Sequence, residues 1–167
     1  MENVENKVVI LTGATSGIGE ATARVLAANG AKVVLSGRRE DRLEKLASEL
    51  GSCATYLKSN VTNVEDMKAI VKLAKERFGK VDVLFANAGI MPAGNMSELD
   101  INGWINMVDI NIKGVLNSMY AVIPEFYEQN SGHVIITSSR AGTTLVPGNA
   151  VYCGTKHFVK VMLQSFN

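Results

Sequence analysis

The chain has 167 residues, of which 47% are hydrophobic and 20% are charged, and its formal net charge is +1. This length fits one domain that can bury a core, and the composition is ordinary for a soluble globular protein. The near-neutral charge gives no electrostatic reason to expect nucleic acid or an anionic membrane as a partner. We therefore expect one soluble domain over residues 1–167.

The N-terminal residues and the cysteines indicate the cellular location and whether disulfides or a metal site are expected. Residues 1–7 lack an apolar signal core, and no later apolar run approaches the length of a membrane span, so a cytoplasmic location is expected. Cys53 and Cys153 lie far apart and show no metal-ligand spacing. Neither a disulfide framework nor a metal site is predicted, and both cysteines are interpreted as small buried apolar residues.

The most informative stretch is a strand that leads into a glycine-rich turn and then a helix. The apolar residues 8–11 precede Gly13, Gly17 and Gly19, and strong helix formers follow. The start of such a helix can bind a pyrophosphate, because its first N–H groups have no intrahelical partner and the helix dipole is positive there. Glycine lets the backbone come close to the pyrophosphate. The alternative is a purely structural turn, because tight turns also use glycine.

A second strand over residues 31–36 follows the first helix closely enough to form a parallel βαβ unit. In this unit the first helix is expected to present an apolar face made of Ala21, Val25 and Ala28.

The end of the second strand predicts which dinucleotide binds. An acidic residue there would bind the ribose 2′-OH of NAD and repel a 2′-phosphate, but the sequence has Arg38 and Arg39. Guanidinium groups hold phosphate through bidentate, charge-assisted hydrogen bonds, so NADP is favoured over NAD. The alternative is that these arginines and Arg42 pair with neighbouring acids on a solvated helix, which we expect for Arg42.

The alternation of elements continues, with helices over 41–50 and 64–78 and strands over 54–58 and 81–86. Four strands joined by three crossovers predict a doubly wound parallel α/β sheet. Polar turns follow the third and fourth strands, at the edge where such sheets bind ligands. These turns contain Asn60, Val61 and Thr62, and Asn87, Ala88 and Gly89. Structural alternatives are a helix cap at Thr62 and an ordinary turn after the fourth strand.

The remaining segments are predicted as helices over 99–117 and 121–129, a strand over 133–137 and a helix from 149 onward. Asn111 lies in an apolar helical run, so its amide needs a partner, and the residues alone favour a structural role. Tyr152 and Lys156 share one face of the last helix. A cation there can stabilise the phenolate, which makes Tyr152 a candidate general acid/base, although solvated helices also carry such pairs.

Together these residues resemble the short-chain dehydrogenase/reductase family over nearly the whole chain. The resemblance rests on Thr12-Gly13-x-x-x-Gly17-x-Gly19, Asn87-Ala88-Gly89, Asn111, Ser139 and Tyr152-x-x-x-Lys156, in this order. It implies a single Rossmann-type domain that transfers a hydride between NADP(H) and a carbonyl or secondary alcohol.

The resemblance also implies roles for the site residues. Tyr152 transfers the hydroxyl proton, Ser139 orients the substrate oxygen, and Lys156 holds the nicotinamide ribose and stabilises the phenolate. Asn111 holds a water of the proton relay. With the residue arguments above, the predicted cofactor-binding set is Gly13, Thr15, Ser16, Gly17, Ile18, Gly19, Arg38, Arg39, Asn60, Val61, Asn87, Ala88, Gly89, Tyr152 and Lys156.

One departure from the family is at the C-terminal end. The family's domain continues through two further strands and a substrate-covering segment, whereas this chain ends inside a helix, so we expect the sequence to be cut from a longer chain. An alternative function is therefore a truncated or regulatory dinucleotide-binding module without turnover. A sugar-nucleotide epimerase or dehydratase is disfavoured, because its relatives resemble a different glycine spacing.

Assembly is predicted from the long helices. Residues 105–129 and 149–164 carry apolar side chains on more sides than one sheet contact needs, namely Val115, Met119, Val122, Phe158, Val161 and Met162. The missing C-terminal segment is one possible cover. The resemblance implies instead a homodimer, often as half of a homotetramer.

Overall fold

The structure is a computed structural model that describes residues 4–92 and 100–166. Its strands are β1 (Val8–Thr12), β2 (Lys32–Gly37), β3 (Ala54–Lys58), β4 (Val83–Ala86) and β5 (His133–Ile136). They form one parallel sheet in the order β3-β2-β1-β4-β5. The chain runs outward from β1 to β3 and then returns to the other side of β1. The prediction of a doubly wound α/β sheet is confirmed.

The helices are α1 (Gly17–Ala28), α2 (Glu40–Leu50), α3 (Val64–Phe78), α4 (Ile101–Val108), α5 (Gly114–Gln129) and α6 (Ala150–Gln164). A π-helical segment, Asp109–Lys113, joins α4 to α5, and short 3₁₀ turns occupy Gly51–Cys53 and Arg140–Gly142.

Two apolar cores cover the two faces of the sheet, which is why β1 is buried along its whole length. Ile10 packs with α3 residues such as Ile70 in one core, and Leu11 packs with Leu43 of α2 in the other. Successive strand residues point to opposite faces, so the apolar run of β1 serves both cores.

Side-chain hydrogen bonds explain why α3 and β4 begin differently from the sequence-based predictions. Asn63 rather than Thr62 caps α3, because the Asn63 Oδ1 atom accepts from the Glu65 N–H. The fourth strand begins at Val83 instead of residue 81. The Val81 backbone is bound at both its N–H and its carbonyl by the Gln129 side chain, at 3.1 and 2.7 Å.

The sequence predicted where most helices lie, but it mispredicted the buried face of α1 and the helix bounds between residues 99 and 129. α1 starts at Gly17, and its buried residues are Gly19 and Ala23, whereas Ala21, Val25 and Ala28 are exposed. The predicted face was wrong because α1 packs against the core through Ala23 and Leu26 instead. The break predicted between residues 117 and 121 is wrong, because α5 is continuous there with Pro124 inside it, and α4 passes into α5 through the π-helical segment instead. The predicted helix start at residue 99 lies outside the described residues.

Burial corrects two further expectations. Cys153 is buried as predicted, but Cys53 is partly exposed because it belongs to the turn that ends α2. Val115, Met119 and Val122 are buried in the core and are not available to a partner.

Membrane-spanning helices and clusters of metal-ligating side chains are both absent from residues 4–92 and 100–166. No helix in these ranges is long and apolar enough to cross a membrane. In the same ranges, no three His, Cys, Asp or Glu side chains are grouped so that they can hold a metal ion.

Candidate dinucleotide and catalytic site

A cavity of about 800 Å³ lies at the carboxyl ends of the strands. Each of the five strands contributes one residue at or just after its end, namely Gly13, Gly37, Ser59, Asn87 and Thr137. The cavity therefore lies at the edge where open α/β sheets bind ligands, beside the β1–β4 pair at which the strand order reverses.

The cavity brings most of the predicted site residues together. Those that line it are Gly13, Thr15, Ser16, Ile18, Arg38, Arg39, Asn60, Val61, Asn87, Ala88, Gly89, Tyr152 and Lys156. Gly17, Gly19, Asn111 and Ser139 do not line it, and of these Gly17 and Gly19 form the start of α1.

The glycine turn has the geometry of a phosphate cradle. Gly13 and Gly17 have φ angles of +69° and +55°, a region that favours glycine. A Cβ atom on Gly19 would collide with the Gly13 carbonyl oxygen, so this position also requires glycine. Ser16 precedes α1 without capping it through its side chain, which leaves N–H groups of the first turn available to an anion. These features fit the pyrophosphate of a dinucleotide.

Asn87 ties the ends of three strands together. Its backbone N–H donates to the Thr12 Oγ1 atom at 3.0 Å, and its Nδ2 atom donates to the Thr12 carbonyl at 3.2 Å. Its Oδ1 atom accepts from the Thr137 hydroxyl at 2.9 Å. The side chain is therefore engaged by the framework of β1, β4 and β5 while the residue lines the cavity.

The arginines after β2 do not form the ion pairs that the structural alternative required. In the described part of the chain, none of Arg38, Arg39 and Arg42 is within salt-bridge distance of an acid. The acid pairing expected for Arg42 is therefore wrong. Its Nη1 atom faces the Thr15 carbonyl at 3.5 Å, and Glu40 pairs with Lys58 instead.

Asn60 closes a polar turn at the end of β3. Its Oδ1 atom accepts from the Thr62 N–H at 3.1 Å, and its own N–H donates to the Asp66 carboxylate at 2.8 Å. Beneath this turn the buried hydroxyls of Ser36 and Ser59 share a hydrogen bond of 2.7 Å, which connects β2 to the end of β3.

Tyr152 and Lys156 lie at the opposite end of the cavity from Arg38. Lys156 is only 6% exposed, and its Nζ atom donates to the Thr137 carbonyl at 2.8 Å. The same Nζ atom is 5.8 Å from the centre of the Tyr152 ring. Burial lowers the pKa of Lys156, because the charged ammonium is poorly solvated there.

Asn111 is buried in the π-helical segment, and its amide is fully engaged. The Nδ2 atom donates to the Ile90 carbonyl at 2.9 Å and to the Thr155 hydroxyl at 3.2 Å. The Oδ1 atom accepts from the Ile90 N–H at 2.8 Å. The Asn111 amide therefore has the partners that its burial requires, and it links the segment after Gly89 to α6.

Ser139 begins the 3₁₀ turn that follows β5, and its Oγ atom accepts from the Ala141 N–H at 3.1 Å. This turn packs closely on α6, since a Cβ atom on Gly142 would come within 2.7 Å of the Lys156 carbonyl. Ser139 is thus held near the helix that carries Tyr152 and Lys156.

Several lining residues were not among the predicted site residues: Gly37, Ser59, Ile90, Met91, Ile110 and Thr137. Thr137 and Ser59 were detectable in principle, because Thr137 is the last residue of a predicted strand and Ser59 lies directly after another. The apolar residues carried no distinguishing signal, since isoleucine and methionine are ordinary core residues.

Comparison with known proteins identifies the family. Residues 7–167 match the sequence family described as short chain dehydrogenase. The chain belongs to the short-chain dehydrogenase family. An uncharacterized oxidoreductase of Listeria innocua is 52% identical to this short-chain dehydrogenase over 164 residues, which are 96% of this chain and 66% of that protein.

Solved structures of other short-chain dehydrogenases share the fold. A member from Burkholderia phymatum in complex with NAD gives a TM-score of 0.93 at 32% identity, covering 99% of this chain and 60% of that one. An alcohol dehydrogenase from Thermococcus sibiricus, complexed with 5-hydroxy-NADP, gives 0.89 at 34% identity, covering 96% and 69%. This chain therefore spans about two thirds of the length of its relatives.

Proposed function

We propose that this short-chain dehydrogenase is a cytoplasmic, NADP-dependent oxidoreductase that interconverts a carbonyl compound and a secondary alcohol. The observation that carries the proposal is one cavity that joins a glycine turn, Arg38 and the pair Tyr152 and Lys156. The complexes of related proteins with NAD and with 5-hydroxy-NADP support a dinucleotide in this cavity.

The glycine turn and the start of α1 would hold the pyrophosphate, and Arg38 would hold the 2′-phosphate. Asn60 and Val61 would border the adenine, and residues 87–89 would line the nucleotide behind β4. When bound, the dinucleotide supplies or accepts the hydride. The protein's own contribution is to orient the two reactants and to move the proton.

Tyr152 would donate its hydroxyl proton to the carbonyl oxygen during reduction and accept it during oxidation. The Lys156 ammonium would stabilise the phenolate and hold the nicotinamide ribose. Its Nζ already donates to the Thr137 carbonyl, which leaves two N–H groups for these tasks.

Ser139 and Asn111 would complete the site. The Ser139 hydroxyl would orient the substrate oxygen by donating to it, since its recorded bond uses the oxygen as an acceptor and leaves the proton available. The Asn111 amide is already engaged by Ile90 and Thr155, so its part in the proton relay would be to fix the backbone beside the relay water.

Titration of the full-length protein with NADPH and NADH tests the cofactor assignment. We expect NADPH to bind roughly ten- to a hundredfold more tightly, because a bidentate contact to the 2′-phosphate contributes about 1.5–3 kcal/mol. Equal dissociation constants for the two dinucleotides would contradict the assignment.

The second candidate function is a regulatory dinucleotide-binding module without turnover. The observation that favours it is that Asn111 and Ser139, two residues of the predicted catalytic set, do not line the cavity. A panel of aldehydes and ketones with NADPH distinguishes the two, since the module would bind NADPH without oxidising it.

We also propose that the protein forms a homodimer or homotetramer. Apolar side chains remain exposed on α5 and α6, where Leu116 is 42%, Tyr120 63%, Phe158 39% and Val161 58% exposed. A symmetric contact would cover this surface on both subunits. Light scattering at micromolar concentration should give a dimeric or tetrameric mass that falls in Phe158→Glu, and a purely monomeric wild type would refute the oligomer.

A further inference from the structure

The two adjacent arginines at the end of β2 have different surroundings. Both are exposed and both line the cavity. Arg39 donates from Nη2 to the Thr15 and Ser16 hydroxyls at 2.8 Å each, and from Nε to the Thr15 hydroxyl at 3.1 Å. Its Nη2 atom also lies 3.1 Å from the Thr15 carbonyl. In the described part of the chain, no hydrogen bond or ion pair is recorded for the Arg38 side chain.

The Arg39 contacts join two segments that are distant in sequence. Arg39 is the residue before α2, whereas Thr15 and Ser16 belong to the glycine turn before α1. Thr15 is buried and packs below the end of β2, where a Cβ atom on Gly37 would come within 2.7 Å of its methyl group. The guanidinium therefore holds two side chains of the turn from the neighbouring strand end.

Donor geometry limits what else Arg39 can do. A guanidinium grips a phosphate best through two parallel N–H groups. Arg39 already uses Nε and Nη2, which form one such pair, on the turn. Arg38 retains its full set of donors at the same cavity edge, so the two residues are suited to different tasks.

We propose that Arg39 is a positioning residue that pre-organises the glycine turn for the pyrophosphate, and that Arg38 alone reads the 2′-phosphate. The inference rests on the proposed dinucleotide-binding function. Because NAD and NADP share the pyrophosphate, Arg39 supports both dinucleotides equally. Fixing Thr15 and Ser16 before binding lowers the ordering cost that either ligand would otherwise meet.

The test is a set of dissociation constants for NADH and NADPH, measured on the full-length protein and its variants. Arg39→Ala should raise both constants by a similar factor, roughly five- to thirtyfold, the range expected for lost charge-assisted bonds. Arg39→Lys should recover part of this loss, because an ammonium can still donate to the Thr15 hydroxyl. Arg38→Ala should weaken NADPH alone.

A control substitution at a neighbouring arginine and a double-mutant cycle complete the test. Arg42→Ala removes a neighbouring charge whose one recorded contact is long, and it should change both constants much less than Arg39→Ala. If Arg39 acts through Thr15, then Arg39→Ala should cost less in a Thr15→Val background than in the wild type. Thermal unfolding of every variant identifies any loss that is due to misfolding.

The outcomes separate this inference from the proposed function. If Arg39→Ala weakens the binding of NADPH alone, Arg39 is a second 2′-phosphate ligand. If it weakens the binding of neither dinucleotide, the Arg39 contacts with Thr15 and Ser16 do not affect binding. Both results overturn the inference. Equal binding of NADH and NADPH by the wild type would remove the NADP assignment, yet a parallel loss in Arg39→Ala would still support the positioning role. A wild type that binds neither dinucleotide overturns both.

Discussion

The two ends of the cavity hold their key cations in opposite environments. Arg38 is exposed at the end near β2, whereas Lys156 is 6% exposed at the other end and donates to the Thr137 carbonyl. An exposed guanidinium can distinguish ligands at little cost to the fold, because water solvates it when no ligand is present. A buried ammonium is held in a fixed place for chemistry, but its charge is costly to bury.

Side chains hold the framework behind both ends. The glycine turn is held by side chains that reach across the sheet, such as Arg39 and Asn87. At the other end the Lys156 and Asn111 side chains do the same, since Lys156 donates to the Thr137 carbonyl and Asn111 bonds to the Ile90 N–H and carbonyl. Side-chain substitutions should therefore perturb binding at the first end and proton transfer at the second.

The largest effect is expected at the catalytic end, from Tyr152→Phe. This variant keeps the ring and removes the transferable proton, so turnover should fall by about 10²–10⁴-fold while NADPH still binds. The measurement is kcat in the full-length protein on a verified carbonyl substrate. Tyr127→Phe is the matched control, since Tyr127 is exposed on α5 outside the cavity. A near-normal kcat in Tyr152→Phe would remove this tyrosine from the mechanism.

The next effect is expected at the nucleotide end, from Arg38→Ala. Loss of a bidentate phosphate contact should weaken NADPH by roughly ten- to a hundredfold and leave NADH almost unchanged. Because Arg38 is exposed, added salt should reduce this difference by screening. An equal loss for both dinucleotides would show that Arg38 does not select the 2′-phosphate.

Alanine substitutions at three glycines compare the free energy of unfolding contributed by the glycine turn and the start of α1 with that of an unconstrained position in α6. Gly19→Ala should lower the free energy of unfolding by about 1–3 kcal/mol, because its Cβ would collide with the Gly13 carbonyl. Gly17→Ala has open space but a φ of +55°, so about 1–2 kcal/mol is expected. Gly154→Ala in α6 also has open space and should stabilise by roughly 0.5–1 kcal/mol. Chemical denaturation measures all three, and equal values would contradict the strained geometry of the turn.

The smallest effect is expected in the pH dependence of the free energy of unfolding, to which the buried Lys156 ammonium contributes. Burial lowers the pKa of Lys156, so between its folded and unfolded pKa the unfolded chain binds more protons, and stability rises with pH. Lys156→Met removes this dependence. The difference in unfolding free energy, variant minus wild type, should therefore fall as pH rises in the alkaline range. Lys45→Met, at an exposed lysine of α2, is the control, and a difference that does not change with pH would contradict the burial argument.

The sequence was sufficient for the parts of the fold that follow from apolar periodicity and glycine placement. The fully buried strand β1 and the positions of the helices were predicted because each has a strong local pattern. The cavity edges after β1, β3 and β4 were also predicted, because the ends of parallel strands meet at one edge of a sheet.

Contacts between distant residues could not be predicted in the same way. The shorter β4 depends on the Gln129 side chain, 48 residues away from Val81, and the Arg39 contacts with the glycine turn span 23 or 24 residues. The exposed face of α1 was mispredicted because alanine and glycine serve equally well on packed and solvated surfaces. Local periodicity carries no information about any of these.

The most direct test of the central claim is hydride transfer from labelled cofactor. The full-length protein is incubated with a panel of aldehydes and ketones and with NADPH in which both hydrogens at the reactive carbon of the nicotinamide are deuterium. We predict equal amounts of oxidised cofactor and of an alcohol deuterated at its carbinol carbon, and formation of both about 10²–10⁴-fold more slowly by Tyr152→Phe. Tight binding of NADPH with no oxidation by any member of the panel would contradict the account and favour the binding module.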